Sequence, residues 1–128
     1  MVRNAGDVRR KALVVDDAPQ LVKLLETWLT ATGWTVHVAH DGKSALAQIT
    51  LHDPDVVILD YDMPGMSGVD VLRALRKRSS SLPVVFMSGF SESMIRRRTT
   101  AYQAFVSKPF ALKDVSRAIR CACSTVAA

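Results

Sequence analysis

Five side chains of this sequence have the types and the spacing to do chemistry together: Asp16, Asp17, Asp60, Ser88 and Lys108. Three carboxylates brought close repel and resist joint ionisation. A hard divalent cation relieves that repulsion, and Mg²⁺ commonly takes one or two carboxylates together with a phosphate. Lys108 could neutralise further charge and reach a phosphoryl oxygen as a point cation. A carboxylate can also be the nucleophile and carry the phosphoryl group itself. Such a transfer needs positioning and charge neutralisation more than proton chemistry. The set therefore suits phosphoryl transfer onto an aspartate. Taken singly, each residue has a plainer reading. Asp17 before Ala18-Pro19 could be a helix N-cap, Asp60 a turn residue, Ser88 a turn hydroxyl, and Lys108 a solvated surface lysine.

The elements that would hold these residues alternate along the chain. Ala12–Val15 is a short continuous apolar run of the kind buried on both faces of a sheet, Val56–Leu59 is the strongest strand, and Thr35–Ala39, Pro83–Met87 and Ala104–Val106 read as the other strands. Between them lie helical patterns. Leu21, Val22, Leu24, Leu25, Trp28 and Leu29 form one stripe, with Pro19 early and Gly33 just after. Gly42–Leu51 turns Ala45, Leu46 and Ile49 inward, and Gly68–Arg78 turns Val69, Leu72 and Leu75 inward. The stretch from Ser91 to about Thr100 is a weak helix whose apolar content is Met94 and Ile95. Ala111–Ala122 is a last helix with Leu112, Val115, Ala118, Ile119 and Ala122 on one face. Five strands alternating with five helices predict an α/β fold, one doubly wound parallel sheet covered on both faces. Ligands of such sheets bind at the carboxyl ends of the strands. Asp16 and Asp17 follow the first strand, Asp60 the third, Ser88 the fourth and Lys108 the fifth, all on that one edge.

A chain of 128 residues is the size of one domain and can hold a core without disulfides. No apolar run approaches the ~20 residues of a membrane span. The basic start, Met1 to Lys11, is followed by an apolar stretch that Asp16-Asp17 ends too soon for a signal peptide. The expected location is cytoplasmic. Cys121 and Cys123, two apart on a predicted helix, diverge and are read as incidental. His37, His40 and His52 are scattered and given no function. Lys and Arg number 17 against 12 Asp and Glu, a net charge of +5. Four acids sit in the Asp16-Asp17 and Asp60/Asp62 clusters, so the rest of the surface is distinctly basic. The runs Arg76-Lys77-Arg78 and Arg96-Arg97-Arg98 read first as solvated helix faces, and the second run alternatively as a face for an acidic protein partner. No helix-turn-helix, zinc-finger or aromatic RNA-binding motif is present to give base readout, so direct nucleic-acid binding is not expected.

Four segments together resemble the receiver domain of two-component response regulators: Leu13-Val-Val-Asp16-Asp17, Val57-Ile-Leu-Asp60-Tyr-Asp62-Met-Pro-Gly-Met-Ser-Gly68, Pro83-Val-Val-Phe-Met-Ser88-Gly89 and Lys108-Pro109-Phe110. The resemblance covers about Lys11 to Ala122. It implies a flavodoxin-like sheet of order 2-1-3-4-5, with a segment at 1–10, the receiver at 11–123 and a tail at 124–128. It makes Asp60 the phosphoacceptor, charged from a phosphohistidine. Asp17 and Asp60 would bind Mg²⁺ (or Mn²⁺) directly, with the Asp62 backbone carbonyl as a third ligand and Asp16 acting through a bound water. Ser88, Gly89 and Lys108 would bind the phosphoryl group, with Lys108-Pro109 cis. Ser88 and Phe105 would be the switch pair, with Phe where many relatives have Tyr. Asp62 and Phe90 stand where phosphoryl lifetime is tuned, and Phe90 is expected to hinder the approach of water. Ser88 and Lys108 are closer in sequence than the family usually has them, so a short fourth helix is expected, and with it an unusual partner face.

The function so implied is signalling by phosphorelay. The partners would be a histidine kinase or phosphotransfer protein and a downstream protein target or attached domains, with a homodimer as a further option and no membrane. The chain would catalyse only its own phosphorylation and dephosphorylation. Two other classes compete. A pseudo-receiver would bind a protein without taking phosphate, against which the complete acidic and basic set argues. A phosphohydrolase of the haloacid-dehalogenase type shares an Asp-x-Asp pair, but places it after its first strand and leaves Asp16-Asp17 unexplained. Either a free-standing regulator or a receiver cut from a hybrid kinase or longer regulator fits the sequence.

Overall fold

A computed structural model of the chain describes residues 10–78 and 80–126. The expected N-terminal segment therefore lies, but for Arg10, outside the described residues, as do Ser79, Ala127 and Ala128. The strands are β1 (Arg10–Val15), β2 (Trp34–Ala39), β3 (Val56–Asp60), β4 (Val84–Ser88) and β5 (Ala104–Ser107). The helices are α1 (Pro19–Ala31), α2 (Gly42–His52), α3 (Gly68–Lys77), α4 (Glu92–Arg96) and α5 (Leu112–Val126). All strand pairs are parallel and the sheet order is β2-β1-β3-β4-β5, as the alternation and the resemblance implied. No helix among the described residues is long and apolar enough to cross a membrane.

The two faces of the sheet explain the continuous apolar runs. Ala12, Val14, Ile58, Val85 and Met87 face α1 and α5. Leu13, Val15, Leu59 and Phe86, their neighbours along the same strands, face the α2, α3 and α4 side. Alternate residues of one strand thus enter opposite cores, and every residue of β3 and β4 is buried. Each helix contributes its own stripe. Val22, Leu25 and Leu29 of α1 are buried, and so are Val69, Leu72 and Leu75 of α3.

Three details correct the expectations. Leu24 is 50% exposed, because at 100° per residue it stands a quarter turn from Leu25 and off the buried stripe. Met94 is exposed, and Ile95 alone anchors α4. Asp60 and Ser88 are the last residues of their strands, held in the ladder beside Met87 and Ser107, and not the first residues after them. The short α4, five residues long, was foreseen. α5 continues past Ala122 to Val126 and carries Cys121 and Cys123 as free thiols.

Candidate functional site

The carboxyl edge of the sheet gathers the charged residues. Asp16, one residue beyond β1, donates its backbone N–H to the Ala39 carbonyl at the end of β2. Its Oδ1 accepts from the Ala18 N–H, 2.9 Å away, which bends the chain toward α1. Ala18, not Asp17, is the N-cap of α1, and Pro19 opens the helix. Asp17 is therefore not occupied as a cap, and it stands exposed at the rim. Asp16 and Asp60 are buried, at 0% and 3% exposure. Oxygens of Asp16, Asp17 and Asp60 lie within 4.8 Å of one another.

Lys108 closes the cluster. Its backbone N–H donates to the Ser88 carbonyl at 2.8 Å, which fixes the loop after β5 against the end of β4. The Lys108-Pro109 peptide is cis, as the resemblance implied. Lys108 Nζ then donates to Asp16 Oδ2 at 2.7 Å and to Asp60 Oδ1 at 3.2 Å. It is a half-buried ion-pair partner and not a solvated surface lysine. One ammonium against three carboxylates leaves an excess of negative charge that suits one divalent cation. Desolvation, then the neighbouring Asp16 carboxylate, push the Asp60 carboxyl up to about 6, and Lys108 only partly offsets them. Burial acts on Lys108 in the opposite sense, lowering its pKa, but the bonds to Asp16 and Asp60 prevail and raise it.

The loop after β3 is shaped by close backbone approach. Tyr61 donates its N–H to the Met87 carbonyl, Asp62 donates to Asp60 Oδ1, and Gly68 donates to the Tyr61 carbonyl. A Cβ at Gly68 would come within 2.5 Å of the Asp60 carbonyl oxygen, so only glycine lets α3 start there. Ser67 and Asp70 form a capping box that sets the first turn of α3. Ser88 is buried, and its Oγ accepts from the Phe90 N–H at 2.9 Å. A Cβ at Gly89 would meet nothing within 4 Å, so there is open space beside Ser88.

The remaining expected residues are placed differently. Asp62 and Phe90 line a hollow of 220 Å³ beside Tyr61 and Arg98, and Phe90 touches Tyr61 edge to face. Phe105 is half-buried against the core on the α3 side and stands beside Phe86 in the sheet. It does not join the carboxylates. A larger hollow, 730 Å³, lies at the other end of the strands by Arg10, Trp34 and Arg120, so size alone would misplace the site.

Two residues were missed. His40 Nδ1 lies 3.2 Å from the Asp16 carbonyl oxygen and, protonated there, donates to it, bracing the turn that carries the acidic pair. Arg76, read as part of a solvated basic face, is half-buried. Its guanidinium donates to the carbonyls of Ser80, Leu82 and Ala101 and to Gln103 Oε1. His40 directly after a strand end was the one available signal for the first. The second had none, since three of its four partners are backbone carbonyls.

Comparison with known proteins agrees with this geometry. The family model described as the response regulator receiver domain matches residues 12–120. The probable transcriptional regulatory protein TcrX of Mycobacterium tuberculosis is 39% identical over 121 residues, 93% of this chain and 52% of its own length. KdpE of the same species is 38% identical over 86% of this chain and 49% of its own length. The chain thus spans about half the length of these curated relatives. Among solved structures, the chemotaxis protein CheY4 of Vibrio cholerae superposes with a TM-score of 0.84 at 25% identity, over 90% of this chain and 99% of that one. The response regulator TrrA of Thermotoga maritima, solved in complex with Mg(2+)-BeF, superposes with a TM-score of 0.79 at 29% identity, over 87% and 96%. With the acidic cluster, the lysine and the sheet order in agreement with that match, the chain belongs to the receiver domain family of two-component response regulators.

Proposed function

We propose that Asp60 is a phosphoacceptor, charged from the phosphohistidine of a histidine kinase or phosphotransfer protein. The observation that carries this reading is the buried Asp60 carboxylate sharing Lys108 with Asp16 at a strand end where a third carboxylate converges. An Asp60 oxygen attacks phosphorus, the P–N bond to the donor imidazole breaks, and the imidazole leaves with the electron pair. With its carboxyl titrating at about 6, Asp60 is mostly ionised and nucleophilic at neutral pH. Asp17 and Asp60, with the Asp62 carbonyl, would hold Mg²⁺ directly and Asp16 would do so through water. The convergent hard oxygens fit that ion, and the relative solved with Mg(2+)-BeF supports it. The ion supplies charge neutralisation for the phosphoryl oxygens. Lys108 is placed to pair with one of those oxygens, and the open space at Gly89 leaves room for them.

Ser88 would exchange its bond from the Phe90 N–H for one to the phosphoryl group, and Phe105 would follow into the space vacated. Asp62 and Phe90, exposed at the mouth, would set the lifetime of the phosphoryl group. The relatives named as transcriptional regulators make control of transcription, through regions beyond the matched half, the output to test first. The protein would act in the cytoplasm, where such kinases present their phosphohistidine.

The test is intact mass after incubation with acetyl phosphate and Mg²⁺. One added phosphoryl group, lost in Asp60→Asn and without Mg²⁺, is the expected result. No adduct, with the fold intact, would refute the phosphoacceptor reading in favour of a pseudo-receiver.

A further inference from the structure

The shortness of α4 leaves a furrow on the face that α3 helps to cover. Five helical residues span about 7.5 Å, and from Arg97 to Gln103 the chain runs through a turn and irregular backbone before β5. Between that segment and α3 lies a furrow of 380 Å³ lined by Leu72, Arg73, Arg76, Lys77, Thr99 and Ala101. Its polar floor groups are already engaged. The Arg76 guanidinium is committed to Ser80, Leu82, Ala101 and Gln103. Thr99 Oγ1 accepts from the Ala101 N–H at 3.2 Å. What the floor offers a ligand is apolar surface.

Both banks are basic. Arg73 and Lys77, one helical turn apart on α3, are exposed. Arg97 and Arg98 are exposed on the segment just before Thr99, which forms the other side, and Arg98 lies at the neighbouring hollow with a 3.4 Å contact to the Tyr61 hydroxyl. The acids near these banks are occupied. Asp70 belongs to the α3 capping box, where Ser67 first, and Arg73 and Arg98 after it, keep its carboxyl below the usual range. Glu92 accepts from Arg96 and from the Tyr102 hydroxyl.

We propose that this furrow docks an acidic amphipathic helix of a partner protein. Apolar side chains of the helix, three or four residues apart, would fill the furrow over Ala101, the Thr99 methyl and the aliphatic stems of Arg73, Arg76 and Lys77, and its flanking carboxylates would meet Arg73 and Lys77 on one side and reach toward Arg97 and Arg98 on the other. A nucleic-acid backbone would use the same cations but leave the apolar floor empty, so the floor favours the helix. The inference stands on the fold and not on Asp60 chemistry, and it is tested on unphosphorylated protein so that the two readings fail separately.

The probe is a synthetic helical peptide of Leu, Ala and Glu, with Leu on one stripe, titrated into the isotope-labelled full chain and followed by amide shifts. Shifts centred on Leu72, Arg73, Lys77, Thr99 and Ala101 are expected. Binding should weaken at least about tenfold in Arg73→Glu/Lys77→Glu and, independently, in Arg97→Glu/Arg98→Glu. It should weaken comparably when the peptide's Leu residues become Ser. All four protein positions are exposed, so the variants should keep the fold. Equal binding of the Leu-free peptide, shifts centred elsewhere, or tighter occupation of the same residues by duplex DNA would overturn the proposal.

Discussion

In the absence of metal, Asp60→Asn should make this protein more stable at neutral pH, and the gain should depend on pH in a defined direction. The folded chain holds the Asp60 carboxyl at about 6 against an ordinary 3.8, because burial and then Asp16 disfavour the charge. A folded-state pKa above the unfolded one means the native state binds more protons between those two values. Stability conferred by the neutral carboxyl is complete below pH 4 and is lost as pH rises through 6. At about 1.4 kcal/mol per pKa unit, ionised Asp60 destabilises the metal-free fold by up to about 3 kcal/mol at pH 8. Asparagine has the same shape and no charge, so it removes that penalty. Urea slopes for small proteins are roughly 1–3 kcal/mol per molar, which puts the variant's midpoint about 1–3 M above wild type at pH 8 in chelator. The gap should shrink toward zero at pH 4. Mg²⁺ should narrow it at pH 8 by stabilising wild type preferentially. An equal gap at both pH values, or a less stable variant at pH 8, would refute the reasoning that links burial to the charge on Asp60.

Other substitutions probe the supports of the site. Lys108→Ala removes the cation between two buried carboxylates, and a loss of about 3 kcal/mol or more is expected in chelator at neutral pH, partly regained with Mg²⁺; unfolding curves measure both. Gly68→Ala places a Cβ against the Asp60 carbonyl and should displace the acceptor strand end, so that phosphoryl uptake from acetyl phosphate falls at least about tenfold, read by a mass time course. Gly89→Ala, in open space, should leave the urea midpoint unchanged while slowing the same time course; a stability loss would show that the space is not free. Arg76→Ala should cost about 2–4 kcal/mol by leaving several carbonyls without their charged donor, and Arg76→Lys should recover little of it.

The inner strands β1, β3 and β4 were legible because burial on both faces leaves about four consecutive apolar residues with no polar phase to misread, as in Val56–Leu59, whereas β2 and β5, at the sheet's edges, are only partly buried. The site residues were legible because each sits at the end of such a run, where a parallel sheet brings sequence-distant ends together. Even the shortness of α4 could be read, from the close spacing of Ser88 and Lys108 compared with the family. Leu24 was misplaced because a leucine-rich helix offers two neighbouring stripes, and only the sheet beneath decides between them. Arg76 was hidden for a different reason. Its partners are main-chain oxygens of Ser80, Leu82 and Ala101, and a carbonyl carries no mark in the sequence of where tertiary structure will aim it. His40 had one weak mark, its place directly after a strand end, but nothing in the sequence aimed it at the Asp16 carbonyl.

The bond between Lys108 and Asp16 joins residues 92 positions apart. A ribosome adding roughly 5–20 residues per second delivers the acidic residues several seconds before the lysine that stabilises them. During that interval the nascent chain has Asp16, Asp17 and Asp60 but not the lysine that pairs with Asp16 and Asp60 in the fold. β5 must dock before Lys108 can reach either carboxylate. The pairing of Asp16 and Asp60 with Lys108 therefore waits on the last strand, and a chain halted ahead of Lys108 would hold its buried carboxylates without that partner. The contact is thus among the last that the growing chain can form.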